Sequence, residues 1–446
     1  MTADETPNAP CALSPQAQDE VVDLCQELIR IDTSNYGDGS GPGERVAAEY
    51  VAERLADVGL EPQIYESAPG RATVVARWSG VDSTRPALLL HGHLDVVPAQ
   101  ASDWKVDPFA GEIADGCVWG RGAVDMKDMD AMIMAVARDR MRSDRPPARD
   151  VVLCFLADEE AGGDYGSAFM VREHPDLFAD CSEGISEVGG FSITIDDDLR
   201  LYPVETAEKG IAWLRLIADG TASHGSMLSR DNAVTHLAAA VARIGSYEFP
   251  QRLTPAVREF LEEAANAYGI ALDLDDPSPV LRKLGPLARV VGATLRNTAN
   301  PSMLLAGYKV NVIPGRAEAH VDGRTLPGYE DEFLATIDEL LGPHVRREIV
   351  HRAPALETTF DGALVDAIGA AVRAEDPHGR TVPYCLSGGT DAKGFSELGV
   401  RGFGFSPLRL PPDLDFTGMF HGVDERVPVD GLQFGARVLD RLLDLC

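Results

Sequence analysis

Basic residues are scarce in this chain. Against 71 Asp and Glu there are 40 Lys and Arg, for a formal charge of -31 over 446 residues, whereas a protein that neutralises phosphates needs a basic face. The deficit argues against a nucleic-acid partner. Long apolar runs are missing as well: none approaches the roughly 18 residues of a membrane span. Residues 1–10 carry neither the basic start nor the apolar core of a secretion signal. Paired cysteines are absent too. Cys11, Cys25, Cys117, Cys154, Cys181, Cys385 and Cys446 are scattered, odd in number and form no Cys-x-x-Cys motif, which predicts reduced thiols and a cytoplasmic setting. No internal repeat or low-complexity stretch interrupts the chain.

What remains is a globular composition, 45% hydrophobic, in a chain too long for one typical domain, so two domains are expected. The most informative stretch runs from Pro86 to Pro98. Ala87 to Leu90 form a short apolar run suited to a buried parallel strand, and His93-Leu94-Asp95 follows where that strand should end. Ligands bind at such ends. Residues two apart on extended backbone point the same way, so the Asp95 carboxylate is expected to accept the spare N–H of the His93 imidazole and orient it toward a metal.

Three later stretches repeat this placement. Trp119-Gly-Arg-Gly-Ala-Val-Asp125 leads into a helical pattern, where capping that helix is the ordinary role of Asp125. Strand-like Asp150 to Phe155 runs into Asp158-Glu159-Glu160 and a glycine pair, and adjacent like charges repel unless a cation sits among them. Gly184-Ile-Ser-Glu187 delivers another carboxylate into a glycine turn.

Periodicity predicts helices over 14–31, 44–58, 129–140, 231–244 (capped by Asp231), 330–341, 364–374 and the C-terminal segment beginning at Asp430. Strands are expected over 71–78, 210–218, 293–296, 302–305, 317–324, 345–350 and 383–386, with an irregular insertion over about 249–285. Alternating strands and helices make 1–205 and 353–446 the two parts of an α/β catalytic domain. The strand, helix, strands, helix, strand order of 206–352 makes it an inserted smaller α+β domain.

Collected, His93, Asp95, Asp125, Glu159, Glu160, Glu187 and His421 all fall at strand ends and turns of the α/β part. Two histidines and three carboxylates suit two Zn²⁺ ions sharing a bridging group, with Co²⁺ or Mn²⁺ as substitutes. At this point the chain resembles the co-catalytic dinuclear zinc exopeptidase and deacylase family. That family includes glutamate carboxypeptidases, aminoacylases, acetylornithine deacetylase, succinyl-diaminopimelate desuccinylase and several dipeptidases. The resemblance spans nearly the whole chain, through Gly-His-x-Asp-x-Val-Pro, Gly-Arg-Gly-x-x-Asp-Met-Lys, Asp-Glu-Glu, His-Gly-Ser, Asn-Val-Ile-Pro and Gly-Gly-Thr-Asp-Ala to the C-terminal histidine.

The resemblance implies a mixed-sheet catalytic domain carrying a lid or dimerisation domain. It implies that His93 and Glu187 hold one zinc, Glu160 and His421 the other, and that Asp125 bridges them. Asp95 would be the partner of His93 and Glu159 the general base. His224 would stabilise the oxyanion, often in a partner subunit's site. Asn311 and Arg324, with the backbone at Gly388, Gly389 and Thr390, would bind the substrate's free carboxylate. His91, His174, His236, His320, His344, His351 and His378 are expected to be structural.

The implied activity is hydrolysis of an amide beside a free carboxylate, on a small peptide or an N-acyl amino acid. The Ser186-Glu-Val-Gly-Gly190 stretch leans toward the carboxypeptidase or dipeptidase branch over the deacylase branch. A metal-retaining binding protein without turnover is the remaining alternative, and an intact Glu159 speaks against it. Two departures stand out: Asp128-Met-Asp130, expected to add negative charge beside the metals, and Met227-Leu228 after His224, where proline is common in the family.

Overall fold

The computed structural model describes residues 13–446; the opening segment and Cys11 lie outside the described residues. The strand Ala87–His93 explains the architecture. Leu88 and Leu90 join the larger core with Val21, Leu28, Met129, Ile133 and Leu439, while Ala87 and Leu89 pack with Met170, Phe178 and Phe395 on the opposite face. A strand with helices on both faces has to be apolar on both sides, which is why its sequence runs rather than alternates. It pairs in parallel with Val151–Leu156 and Cys181–Ser186, and the latter pairs in parallel with Arg401–Gly404. Antiparallel Gln63–Ala68 and Arg71–Trp78 extend one edge, and Leu199–Glu208 lies beyond the other, so the sheet is mixed.

The predicted helices form with small shifts at their ends: Pro15–Arg30, capped by the Ser14 hydroxyl accepting from the Ala17 N–H at 3.1 Å, and Arg45–Ala56, Lys127–Arg142, Ala363–Glu375 and Val429–Leu445. Helix Ala233–Gly245 is capped one residue later than predicted. The side chain of Asn232 accepts from the N–H groups of Val234 and Thr235, and Asp231 instead accepts from the Thr221 hydroxyl.

Within 206–352, four strands form an antiparallel sheet in the order Thr298–Ala306, Arg316–Thr325, Gly210–Asp219, Val345–Ala353. Helices Ala233–Gly245 and Glu330–Leu341 cover one face and bury Leu214, Leu216, Leu237, Phe333 and Ile337. The stretch expected to be irregular folds into helix Pro255–Ala267 and shorter turns ending in helix Ala288–Ala293, so the strand expected over 293–296 is not formed. Its apolar side chains, Phe260, Leu261, Leu284 and Leu287 among them, pack into the larger core, not the smaller one. Proline at the first helical position starts Pro255–Ala267, a signal that the prolines' reputation as breakers obscures.

Lysines pin the two places where the chain crosses between sheets. Lys209 Nζ donates to the carbonyls of Ala293 and Arg296 at 2.9 and 2.8 Å. Lys393 Nζ donates to the carbonyls of Lys209 and Pro354 at 3.0 and 2.9 Å. Among the described residues no helix is long and apolar enough to cross a membrane. Cys25, Cys117, Cys154, Cys181, Cys385 and Cys446 are free thiols.

Candidate metal centre and substrate cleft

Parallel pairing sets the carboxyl ends of three strands side by side, and each hands on a polar residue. Ala87–His93 ends in His93, Val151–Leu156 leads to Glu159 and Glu160, and Cys181–Ser186 leads to Glu187. Backbone turns aim them: Asp158, Val188 and His421 hold φ of 67°, 60° and 56°, left-handed conformations that cost non-glycine residues about 1–2 kcal/mol each. Nothing in the sequence signals them.

The structure brings Asp125 between both imidazoles. Its Oδ1 lies 3.2 Å from His93 Nε2 and its Oδ2 3.3 Å from His421 Nε2. His421 Nε2 is 3.0 Å from Glu160 Oε2, and His93 Nε2 is 3.5 Å from Glu187 Oε2 and 4.0 Å from Glu159 Oε2. His93, Glu159 and Glu187 offer ligand atoms within 4.8 Å of one another, as do His93, Asp125 and Glu160. Helix Lys127–Arg142 starts after Asp125 with Met126 at its cap, so Asp125 is not spent on capping.

Among the described residues the two imidazoles are the only cationic side chains in ion-pair range of these four carboxylates. The strain shows in their protonation. Burial, with the Glu187 charge beside it, holds the Glu159 carboxyl well above the usual carboxylate range, and burial pushes Glu187 up to about 8. His421 rises to about 10 through its hydrogen bonds to Asp125 and Glu160. Buried carboxylates in such excess over cations call for divalent ions, and a nitrogen and oxygen donor set without thiolate suits zinc, cobalt or manganese. The residues fit a pair of such ions.

Asp95 departs from expectation. His93 Nδ1 lies 2.9 Å from the main-chain oxygen of Asp95, with the carboxylate 3.6 Å away. The carboxylate instead accepts from the backbone N–H groups of Glu159 and Glu160 at 3.0 and 3.1 Å, and from Asn35 Nδ2 at 2.9 Å. Two orphan donors of the Asp158 turn are a stronger claim on a buried carboxylate than one ring N–H that a carbonyl can satisfy. Asn35, which no sequence motif singled out, also donates to Asp158 and accepts from Arg71. Also unforeseen is Glu425, which accepts from the Val124 N–H at 2.7 Å and from Arg121 at 2.6 Å, while Arg121 donates to the Gly422 carbonyl at 2.9 Å. This buried pair fastens the Asp125 turn to the His421 turn.

Asp128 and Asp130, expected to add negative charge beside the metals, sit where burial disfavours that charge. Both are buried, Asp130 leaves both carboxylate oxygens unpartnered and Asp128 one, and burial lifts both far above the usual carboxylate range.

Beside the centre lies a cleft of about 440 Å³ lined by Glu159, Glu160, His421, Arg324, Gly388, Gly389 and Thr390. Thr390 spends its N–H and hydroxyl on Glu208, at 3.0 and 2.6 Å, so it holds the loop in place. Arg324 is held by Asp322 at 2.8 Å. His224 and Asn311 meet elsewhere, on a two-stranded ribbon of Ser223–His224 and Val312–Ile313, where the Gly225 N–H donates to the Asn311 carbonyl at 2.9 Å. They do not line this cleft. His351, expected to be structural, does.

Known proteins resemble this chain over most of its length. The model of peptidase family M20/M25/M40 matches residues 89–445. Probable carboxypeptidase S-like 2 of Dictyostelium discoideum is 28% identical over 80% of this chain and 71% of its own length. Aminoacylase-1 of Sus scrofa is 28% identical over 91% of this chain and 90% of its own. The M20 family metallo-carboxypeptidase Sso-CP2 from Sulfolobus solfataricus shares the fold, with a TM-score of 0.71 at 18% identity, covering 96% of this chain and 99% of the other. A match running from inside the strand that ends in His93 to the last turn of the C-terminal helix takes in the centre and cleft together: this chain belongs to peptidase family M20/M25/M40.

Proposed function

We propose that the chain is a dinuclear metal hydrolase that cleaves an amide beside a free carboxylate, as a carboxypeptidase or dipeptidase or as an N-acyl-amino-acid deacylase. The placement of Asp125 between His93 and His421 carries this reading. Carboxypeptidase-like and deacylase-like activities both fit the relatives. His93 and Glu187 would hold one ion, Glu160 and His421 the other, with Asp125 shared. Bound there, two divalent ions supply a water that ionises near neutral pH and a positive field for the scissile carbonyl.

The chain's own residues do the rest. Glu159 takes a proton from the water and hands it to the departing amine, as general base and then general acid. Arg324 receives the substrate carboxylate with its planar fork, and the glycines at 388 and 389 let the substrate backbone lie close. Asp95 holds Glu159 and Glu160 in register through their N–H groups. Metal removal by a chelator should abolish hydrolysis of a panel of dipeptides and acetyl, succinyl and longer acyl amino acids, and zinc, cobalt or manganese should restore it. Undiminished hydrolysis after complete metal removal would refute the proposal.

His224 and Asn311 complete the site from a second copy. Supporting this, Thr298–Ala306 is an edge strand whose Met303, Leu304 and Leu305 are about half exposed, with Tyr308 and Val310 just after it, and Leu228 just after His224, almost bare. An exposed apolar edge invites a partner strand. The segment 206–352 then acts as lid and dimerisation domain, between catalytic parts 1–205 and 353–446, and the free thiols suit a cytoplasmic location. Mixing inactive His224→Ala with inactive Glu159→Ala protein should regain about a quarter of wild-type activity, since one site of each heterodimer is then intact. No recovery after subunit exchange would place His224 in its own chain's site or outside it.

A further inference from the structure

The face of the four-stranded sheet that carries no helices looks into the cleft. Along Gly210–Asp219, Ala212 and Leu214 are buried against helices, so Ile211 and Trp213 stand on the opposite face. Both line the cleft. Ile211 is paired with Arg324, and Trp213 with Asp322 on one side and His351 on the other. The indole and the His351 imidazole meet with centroids 5.0 Å apart at 45°. The His351 ring reaches across to the turn after Glu160: a Cβ at Gly162 would lie 4.0 Å from its Cε1.

We propose that Trp213 and His351 form the wall that selects the side chain of the residue whose carboxylate Arg324 binds, and that the preferred side chain is aromatic or large and apolar. This rests on the proposed function's assignment of Arg324. Three observations carry it. Trp213 stays 38% exposed, and an indole left in water inside a cleft gains by being covered. Trp213 and Arg324 are diagonal neighbours on adjacent strands, about 7–8 Å apart at the backbone, so one amino acid can set its carboxylate on Arg324 and its side chain against the indole. Asp322 holds both parts in one geometry, accepting from Trp213 Nε1 at 3.2 Å and from Arg324 Nε and Nη2 at 2.8 and 3.2 Å. The cleft's other cations are paired as Arg324 is, Arg352 with Glu330 at 2.7 Å and Lys393 with Glu208 at 3.0 Å. The carboxylates of Asp164 and Glu397 stay exposed to water.

The test uses metal-loaded full-length enzyme with N-acetyl-phenylalanine, -alanine, -glutamate and -lysine, and in parallel the binding of free phenylalanine and alanine by calorimetry. Wild type should prefer phenylalanine over alanine in kcat/KM by about tenfold or more, the ratio in Trp213→Ala should fall to about threefold or less, and Trp213→Phe should restore most of it. The binding ratio should follow the same order. An unchanged ratio in Trp213→Ala, or a wild-type preference for glutamate or lysine, would overturn the inference. If no substrate of the panel is turned over, the proposed function fails, while the phenylalanine-to-alanine binding ratio and its dependence on Trp213 still decide the role of the wall.

Discussion

Replacing Glu159 with alanine is expected to lower kcat by about 10²–10⁴-fold, the usual worth of a positioned general base, with bound metal unchanged. Glu160 and Asp125 each lie within 3.3 Å of an imidazole nitrogen and Glu159 at 4.0 Å; in the proposed assignment its loss removes the proton acceptor and leaves the ligands in place. Its neighbours say the same. Burial and the Glu187 charge raise its carboxyl above the usual range, which favours its taking up a proton. Metal analysis and initial rates on the same preparation separate the two roles. Activity lost together with half of the metal would make Glu159 a ligand, and undiminished hydrolysis would remove it from the chemistry.

Asp95→Ala is expected to destabilise the fold as well as silence it. The carboxylate is fully buried and satisfies three donors, the N–H groups of Glu159 and Glu160 and the Asn35 amide. Each buried donor left without a partner costs about 1–3 kcal/mol, so urea unfolding should show a loss of several kcal/mol, with lowered metal affinity because the Glu160 turn is no longer held. Asp95→Asn should fall between, since its amide oxygen can still accept from one of the two N–H groups while its NH₂ confronts the other. A loss within about 1 kcal/mol in Asp95→Ala would mean that water takes over these donors, and the turn would then not depend on Asp95.

Much of the centre could be anticipated from the order of residues, because each side chain follows a strand or turn with a short-range signature. The apolar run before His93 and the run before Asp158 needed only to be adjacent and parallel for their acidic and imidazole ends to meet, and the sheet makes them so. Misplacements came where two neighbouring residues compete for one role or where distant groups make the claim. Asn232 outbid Asp231 for a helix cap because Thr221 engages Asp231. The Asp95 carboxylate turned from the His93 ring to the Glu159 turn because unpaired backbone donors were waiting there. Asp128 and Asp130 looked like added charge, and burial disfavours that charge.

Chain order alone determined that an α/β domain with an inserted α+β unit would carry histidines and carboxylates at its strand ends, since hydrophobic period and turn chemistry are local properties. Only the tertiary structure decided what those residues face. The bare side of the small sheet sets Trp213 and His351 against the Glu159 turn, and it puts His224 and Asn311 on a ribbon away from that cleft. It also buries the helices of residues 255–293 in the larger core. Such partnerships depend on which of two apolar faces wins a given neighbour, and that is settled by packing between segments far apart in the chain.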